Sequence, residues 1–377
     1  MTSRSAALLL ALAGCSARAT APAKVAEGAR LWAQYCALCH GAHAEGYVAD
    51  NAPALASATF RETASDYFLK SAIERGRPGT AMAGYAQSLG GPLDPARVDA
   101  LIAFLRDGGP EPRQLPYQPP GGNAANGASL FAARCATCHG TPERRGNAVH
   151  LANPVLLETA TDAFLRDAVI RGRPGTRMEA WGTRLSATQV DDVIAHLRSL
   201  ARPAPPAAPF SAPTPRPNSE PIPQAALQPQ APPQAGPAPQ LAGPVVLNPH
   251  GRPPDFTLRE DLYVPVAQAA RAFDEKRRMI ILDARPPPDF LRMHIPGAVS
   301  LPYYDLRSVD QLPNDGTWVI AYCACPHHLS GVVIDELRRR GFQHTAVLDE
   351  GIFVWQQAGH PMTVAEGQLP TPAPPPR

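Results

Sequence analysis

Beyond its first fourteen residues the chain has no apolar run near the roughly 20 residues a membrane-spanning helix needs, so no integral span is expected in the rest. It also lacks a dominant charge: 35 Lys and Arg stand against 33 Asp and Glu, a net of +2. That balance argues against nucleic acid as the main partner, since a phosphate backbone is held by a basic excess. Cysteine is scarce, seven in 377 residues. Proline is the residue in excess, at 45, and it is unevenly spread. The length predicts two to four domains rather than one compact core.

Four of the seven cysteines fall in two matching motifs, Cys36-Ala-Leu-Cys39-His40 and Cys135-Ala-Thr-Cys138-His139. Cys-x-x-Cys-His is the attachment signature of c-type haem. Two thiols one helical turn apart reach the two vinyl groups on one porphyrin edge, and the following imidazole faces the iron. Zinc ribbons and redox dithiols also use Cys-x-x-Cys, but here the neighbours repeat too. Gly28-Ala-Arg-Leu-Trp matches Gly127-Ala-Ser-Leu-Phe, Ala72-Ile-Glu-Arg-Gly-Arg-Pro-Gly-Thr matches Ala168-Val-Ile-Arg-Gly-Arg-Pro-Gly-Thr, and Val98 to Arg106 matches Val190 to Arg198. The same helical unit therefore occurs twice, with two covalent haem c groups expected.

Each unit reads as a helix, the haem motif, a loop, a helix over Ala64 to Arg75 or Thr161 to Arg171, a Gly- and Pro-rich loop carrying Met, and a final helix. This order resembles the class I cytochrome c fold. The resemblance implies His40 and His139 as iron ligands, with Met82 and Met178 on the opposite side. His43, His150 and His196 are competing distal ligands. His196 stands at the repeat position of Phe104, which favours packing, and His43 is too close to His40. The resemblance also implies that the carbonyls of Pro53 and Pro154 accept the axial imidazole N–H.

The chain opens with Arg4, a short apolar run and Leu12-Ala13-Gly14-Cys15. This looks like a bacterial lipoprotein signal, too short to be a mature span, in which Cys15 is lipidated. Ser16 after it resembles lipoproteins sent to the outer membrane, so a periplasmic, lipid-anchored location in the cell envelope is expected. The expected division is 1–14 signal peptide, 15–26 lipid-anchored tether, 27–107 first cytochrome unit, 108–123 Pro/Gly linker, 124–201 second unit, 202–252 Pro-rich linker, 253–365 C-terminal domain and 366–377 Pro-rich tail. The long linker has almost no charge and cannot bury a core, which predicts an extended spacer.

From Pro254 the composition is globular again. Met279 to Asp283 and Thr317 to Cys323 read as buried strands, a helix is expected over Val332 to Arg339, and Gly341 to Leu348 reads as a third strand. Strands alternating with helices predict a parallel α/β sheet. Leu282-Asp283-Ala-Arg285, His294-Ile-Pro-Gly297-Ala, a strand ending Tyr322-Cys323, and Gly351-Ile-Phe-Val-Trp355 together resemble the rhodanese domain. That resemblance implies Cys323 as a nucleophile carrying a persulfide, in a loop of N–H donors at a helix N-terminus. The loop departs from the family: it lacks the usual Arg, and Pro326 removes a donor. Cys325 stands two residues away, too near for an unstrained disulfide. A resolving thiol, a sulfur relay and a plain loop residue all remain open for it, and His327 and His328 lack the usual zinc spacing.

The sequence thus predicts two all-α cytochrome c domains followed by an α/β rhodanese-like domain. The first reading is a lipid-anchored electron carrier with redox proteins as donor and acceptor, its rhodanese-like domain handling sulfur or docking. The second is a sulfur oxidoreductase or sulfurtransferase coupling a Cys323 persulfide, taken from a sulfur-containing small molecule, to the haems. The third is a binding or sensing module with an inactive rhodanese domain.

Overall fold

The computed structural model describes residues 15–118, 121–201, 238–324 and 327–365. The first unit contains α1 (Cys15–Tyr35), α2 (Ala37–His40), α3 (Ala58–Thr63), α4 (Asp66–Arg75) and α5 (Pro95–Arg106). The second repeats it with α6 (Ala124–Arg134), α7 (Ala136–His139), α8 (Pro154–Thr159), α9 (Asp162–Arg171) and α10 (Ala187–Ser199). In each unit the first and last long helices cross at a glycine. A Cβ on Gly28 would run into the Ala100 carbonyl, and one on Gly127 into that of Asp192, so only hydrogen allows the backbones so close.

The middle helix begins later than the apolar pattern suggests. Ala64 turns extended and ends α3, and the Ser65 hydroxyl then accepts the Phe68 N–H at 3.1 Å to start α4. Thr161 caps α9 in the same way through Phe164. Such caps satisfy N–H groups that a helix start leaves without partners.

The two units pack closely. Arg75 forks onto Glu158 with two 2.7 Å contacts, Arg171 reaches Glu62 at 2.8 Å, and the Phe68 and Phe164 rings lie 5.0 Å apart. Residues 108–118, expected as a linker, run between the units. The Arg113 N–H donates to the Glu62 carbonyl at 2.7 Å, and its guanidinium meets Asp167.

The C-terminal domain runs β1 (Tyr263–Val264), α11 (Val266–Asp274), β2 (Met279–Asp283), α12 (Pro287–Arg292), β3 (Met293–His294), β4 (Val299–Ser300), β5 (Trp318–Tyr322), α13 (His328–Arg339), β6 (Thr345–Leu348), α14 (Gly351–Gln357) and β7 (Thr363–Val364). Its main sheet is parallel throughout, in the order β1-β6-β5-β2-β4. β2 is buried along its whole length, as expected of a parallel strand covered on both faces. The expected linker is shorter than 202–252: Leu247 pairs with Met279 through both backbone groups, and Pro239 accepts from Ser308 and Gln311. Residues 238–252 therefore belong to this domain, while 202–237 lie outside the described residues. So do the signal segment 1–14 and the tail 366–377.

The Asp-x-Arg pattern is structural. Asp283 and Arg285 are buried and ion-paired at 2.6 Å, and Asp283 also accepts the Tyr322 hydroxyl at 2.8 Å. Arg285 donates onward to the Met293 carbonyl. Removing one partner of such a pair leaves an uncompensated charge, so Arg285→Ala should destabilise the C-terminal domain by about 3–5 kcal/mol. Denaturant unfolding of the full chain, followed at this domain's transition, measures it.

Candidate haem and thiol sites

Each haem motif folds as one helical turn. The His40 and Cys39 amides both return to the Cys36 carbonyl, at 3.0 and 3.2 Å, and His139 and Cys138 do the same to Cys135 at 2.9 and 3.1 Å. His40 Nδ1 lies 3.0 Å from the Pro53 carbonyl. His139 Nδ1 lies 2.8 Å from the carbonyl of Val149, not of Pro154. The correction has a local cause: Pro154 opens α8 behind the Asn153 cap, and the second unit's loop returns to the imidazole ten residues after it rather than thirteen. An imidazole donating from Nδ1 keeps Nε2 bare for a metal. Burial also pushes both imidazoles down in pKa, which favours the neutral, ligating form.

The methionine loops are near-copies. The Arg77 N–H donates to the Met82 carbonyl at 2.7 Å, and the Met82 N–H to the Thr80 hydroxyl at 3.1 Å. Arg173, Met178 and Thr176 repeat these contacts at 2.8 and 3.1 Å. Gly76 and Gly172 enter the loops at φ +67° and +62°, where L side chains are strained. Arg77 and Arg173 lie over the rings of Phe68 and Phe164 at 5.0 and 5.2 Å, and burial lowers both guanidiniums to about 10. The three alternative histidines have other surroundings, although His150 lines one small cavity with His139. His43 is exposed, His150 Nε2 contacts the Thr141 carbonyl at 3.0 Å, and His196 packs on Phe131. Paired thiols, a half-satisfied imidazole and a thioether on a fixed loop suit covalent haem in both units.

The two motifs nevertheless face different surroundings. The Tyr303 hydroxyl donates to the Tyr35 carbonyl at 2.8 Å, the Tyr85 hydroxyl to the same oxygen at 3.3 Å, and the Tyr304 ring meets the Tyr35 ring edge-on at 4.9 Å. Ala81, beside Met82, packs against the C-terminal domain's apolar cluster. Under this cover, burial pushes the Cys36 and Cys39 thiols up to about 12. In the second unit the corresponding positions are Arg134 and Arg177, both exposed, and Cys138 is exposed as well. Sequence reasoning missed this contact. Its signal was the departure of Tyr35 and Ala81 from Arg134 and Arg177 inside otherwise matching blocks.

Cys323 follows β5 directly and is 1 % exposed. Its sulfur lies 3.3 Å from the Ser330 hydroxyl on α13, and its carbonyl accepts the Ile352 N–H at 3.0 Å. Gly351, at φ +72°, lets α14 start against that carbonyl. Nearby, His327 Nε2 meets Asp349 at 2.7 Å, Arg259 meets the same carboxylate at 2.7 Å, and the Tyr263 ring lies 4.0 Å from the imidazole. Cys325 lies outside the described residues, as does the side chain of Cys15.

Residues 23–105 and 122–197 match the family described as cytochrome C oxidase, cbb3-type, subunit III, and residues 266–358 match the rhodanese-like domain family. The cbb3-type cytochrome c oxidase subunit FixP of Azorhizobium caulinodans is 30 % identical over 189 residues, 46 % of this chain and 59 % of that protein. The FixP of a Bradyrhizobium species is 29 % identical over 185 residues, 46 % of this chain and 60 % of its own length. The chain thus spans about six-tenths of the length of these relatives. A solved rhodanese-like domain from an Anabaena protein is 24 % identical, covering 30 % of this chain and 89 % of that one, with a TM-score of 0.27. The chain carries cytochrome c domains of the cbb3 subunit III kind, a family that binds haem c covalently, followed by a C-terminal rhodanese-like domain.

Proposed function

We propose that this chain is a lipid-anchored periplasmic electron carrier that passes single electrons through two haems, with its rhodanese-like domain handling sulfur. The duplicated ligand arrangement carries the reading: His40 and His139 are both held through Nδ1 by a carbonyl, and Met82 and Met178 both sit on the same loop. Haem iron supplies the one-electron chemistry when bound. The protein fixes the imidazoles and holds the loops. Asn153 donates to the Pro78 carbonyl at 2.9 Å, and Arg145 pairs with Asp50 at 3.0 Å, both buried between the units. These contacts set the first methionine loop and the loops that follow the two haem motifs against each other, which suits direct exchange between the haems. The likeness to cbb3 oxidase subunits supports a terminal oxidase as the acceptor class.

Anchoring rests on Cys15 and its preceding apolar segment. Among the described residues no helix is long and apolar enough to cross a membrane. A second reading, oxidation of sulfur carried on Cys323, is favoured by one observation: the rhodanese-like domain that holds Cys323 hydrogen-bonds through Tyr303 to the residue before the first haem motif.

Denatured protein should retain two haems per chain in a pyridine haemochrome assay; one haem, or haem extracted by acid acetone, contradicts the reading. Oxidised protein should show the weak long-wavelength band of methionine-ligated ferric haem. That band should fall by about half in Met82→Ala or Met178→Ala and vanish in the double variant, since a soft thioether ligand is lost each time. Membrane fractions should hold the wild-type chain, and Cys15→Ser should release it or block maturation. A wholly soluble wild type with its N-terminus elsewhere removes the anchor.

A further inference from the structure

We propose that a sulfane sulfur carried on Cys323 lies against the first haem motif and lowers the reduction potential of the first haem alone, making the rhodanese-like domain and the first cytochrome unit one composite site. The proposal rests on the sulfur-handling reading above and adds to it a coupling between sulfur and iron.

A short backbone path connects the two. The Tyr322 carbonyl, just before Cys323, accepts the Ala284 N–H at 2.9 Å, and the Ala284 carbonyl accepts the Tyr303 N–H at 3.0 Å. The Tyr303 hydroxyl then seats on the carbonyl of Tyr35, the residue before Cys36. The Tyr304 ring meets the Tyr35 ring edge-on at 4.9 Å, closing the apolar seam beside Cys36.

Loading is a sulfur transfer that balances without an oxidant. The terminal sulfur of a donor persulfide, RSS⁻, is attacked by the Cys323 thiolate; the donor S–S bond breaks, RS⁻ leaves, and Cys323–S–S⁻ forms. Cys323 is 1 % exposed, so the added sulfur is attached at a buried position. A fixed negative charge there is weakly screened and favours the ferric over the ferrous state of a neighbouring iron. By linkage, oxidation of that iron must favour the loaded thiol by the same factor. The second unit is the internal reference, because its corresponding surface is exposed and carries Arg134.

The test is a redox titration of the full, haem-loaded chain before and after treatment of the fully reduced protein with cysteine persulfide, excess donor being removed. Mass spectrometry reads the loading. The proposal expects one added sulfur on Cys323 and two one-electron waves, of which one moves to lower potential while the other stays. The moving wave is the one altered by Met82→Ala. Cys323→Ser should gain no sulfur there and show no movement. Tyr303→Phe, which removes only the seating hydroxyl, should load normally and move less. An adduct on Cys323 with no movement overturns the coupling and leaves the sulfur-handling reading intact. No adduct overturns both, and equal movement of the two waves overturns the composite site.

Discussion

The carbonyl of Tyr35, one residue before the first haem motif, accepts two phenolic hydroxyls, Tyr85 from its own unit and Tyr303 from the rhodanese-like domain. The architecture turns on this junction. A carbonyl at the end of a helix has no partner within the helix, and burying it bare would cost about 1–3 kcal/mol. Two phenols satisfy it at once, while the rings of Tyr35 and Tyr304 close the apolar seam around it. The contact can therefore be both dry and specific, and it ties the rhodanese-like domain to the residue that precedes Cys36.

The repeat makes the consequence visible. Both units use the same glycine crossing, the same Ser or Thr cap, the same methionine loop and the same imidazole-to-carbonyl contact. They part company on the face that presents the cysteines. There the first unit has Tyr35, Leu38 and Ala81, and the second has Arg134, Thr137 and Arg177. Among the described residues the rhodanese-like domain covers the first face, while Arg134, Thr137, Cys138 and Arg177 are exposed on the second. Two matching motifs are thus placed in different dielectric surroundings.

Much of this was legible in the sequence because the decisive features are local. A Cys-x-x-Cys-His turn, a Gly-Arg-Pro-Gly loop and a buried β2 declare themselves within a few residues. Cys323 at the end of β5 was legible for the same reason. The acceptor for His139 was not: whether Pro154 or Val149 faces the imidazole depends on the return path of a loop, and a proline that begins a helix looks in sequence like one that supports a ligand. The junction at Tyr35 was hidden as well, since it joins residues 268 positions apart. The end of the Pro-rich linker was misplaced because Leu247 pairs with Met279 only once the sheet exists.

The central claim is that the rhodanese-like domain covers the first haem motif and leaves the second open. Backbone hydrogen exchange on the full haem-loaded chain tests it most directly, because Cys36–His40 and Cys135–His139 make the same helical hydrogen bonds and differ only in what lies over them. The account predicts much slower exchange over 35–41 than over 134–140, with the difference lost in a Tyr303→Ala, Tyr304→Ala double variant. Equal exchange of the two segments in the wild-type chain would contradict it.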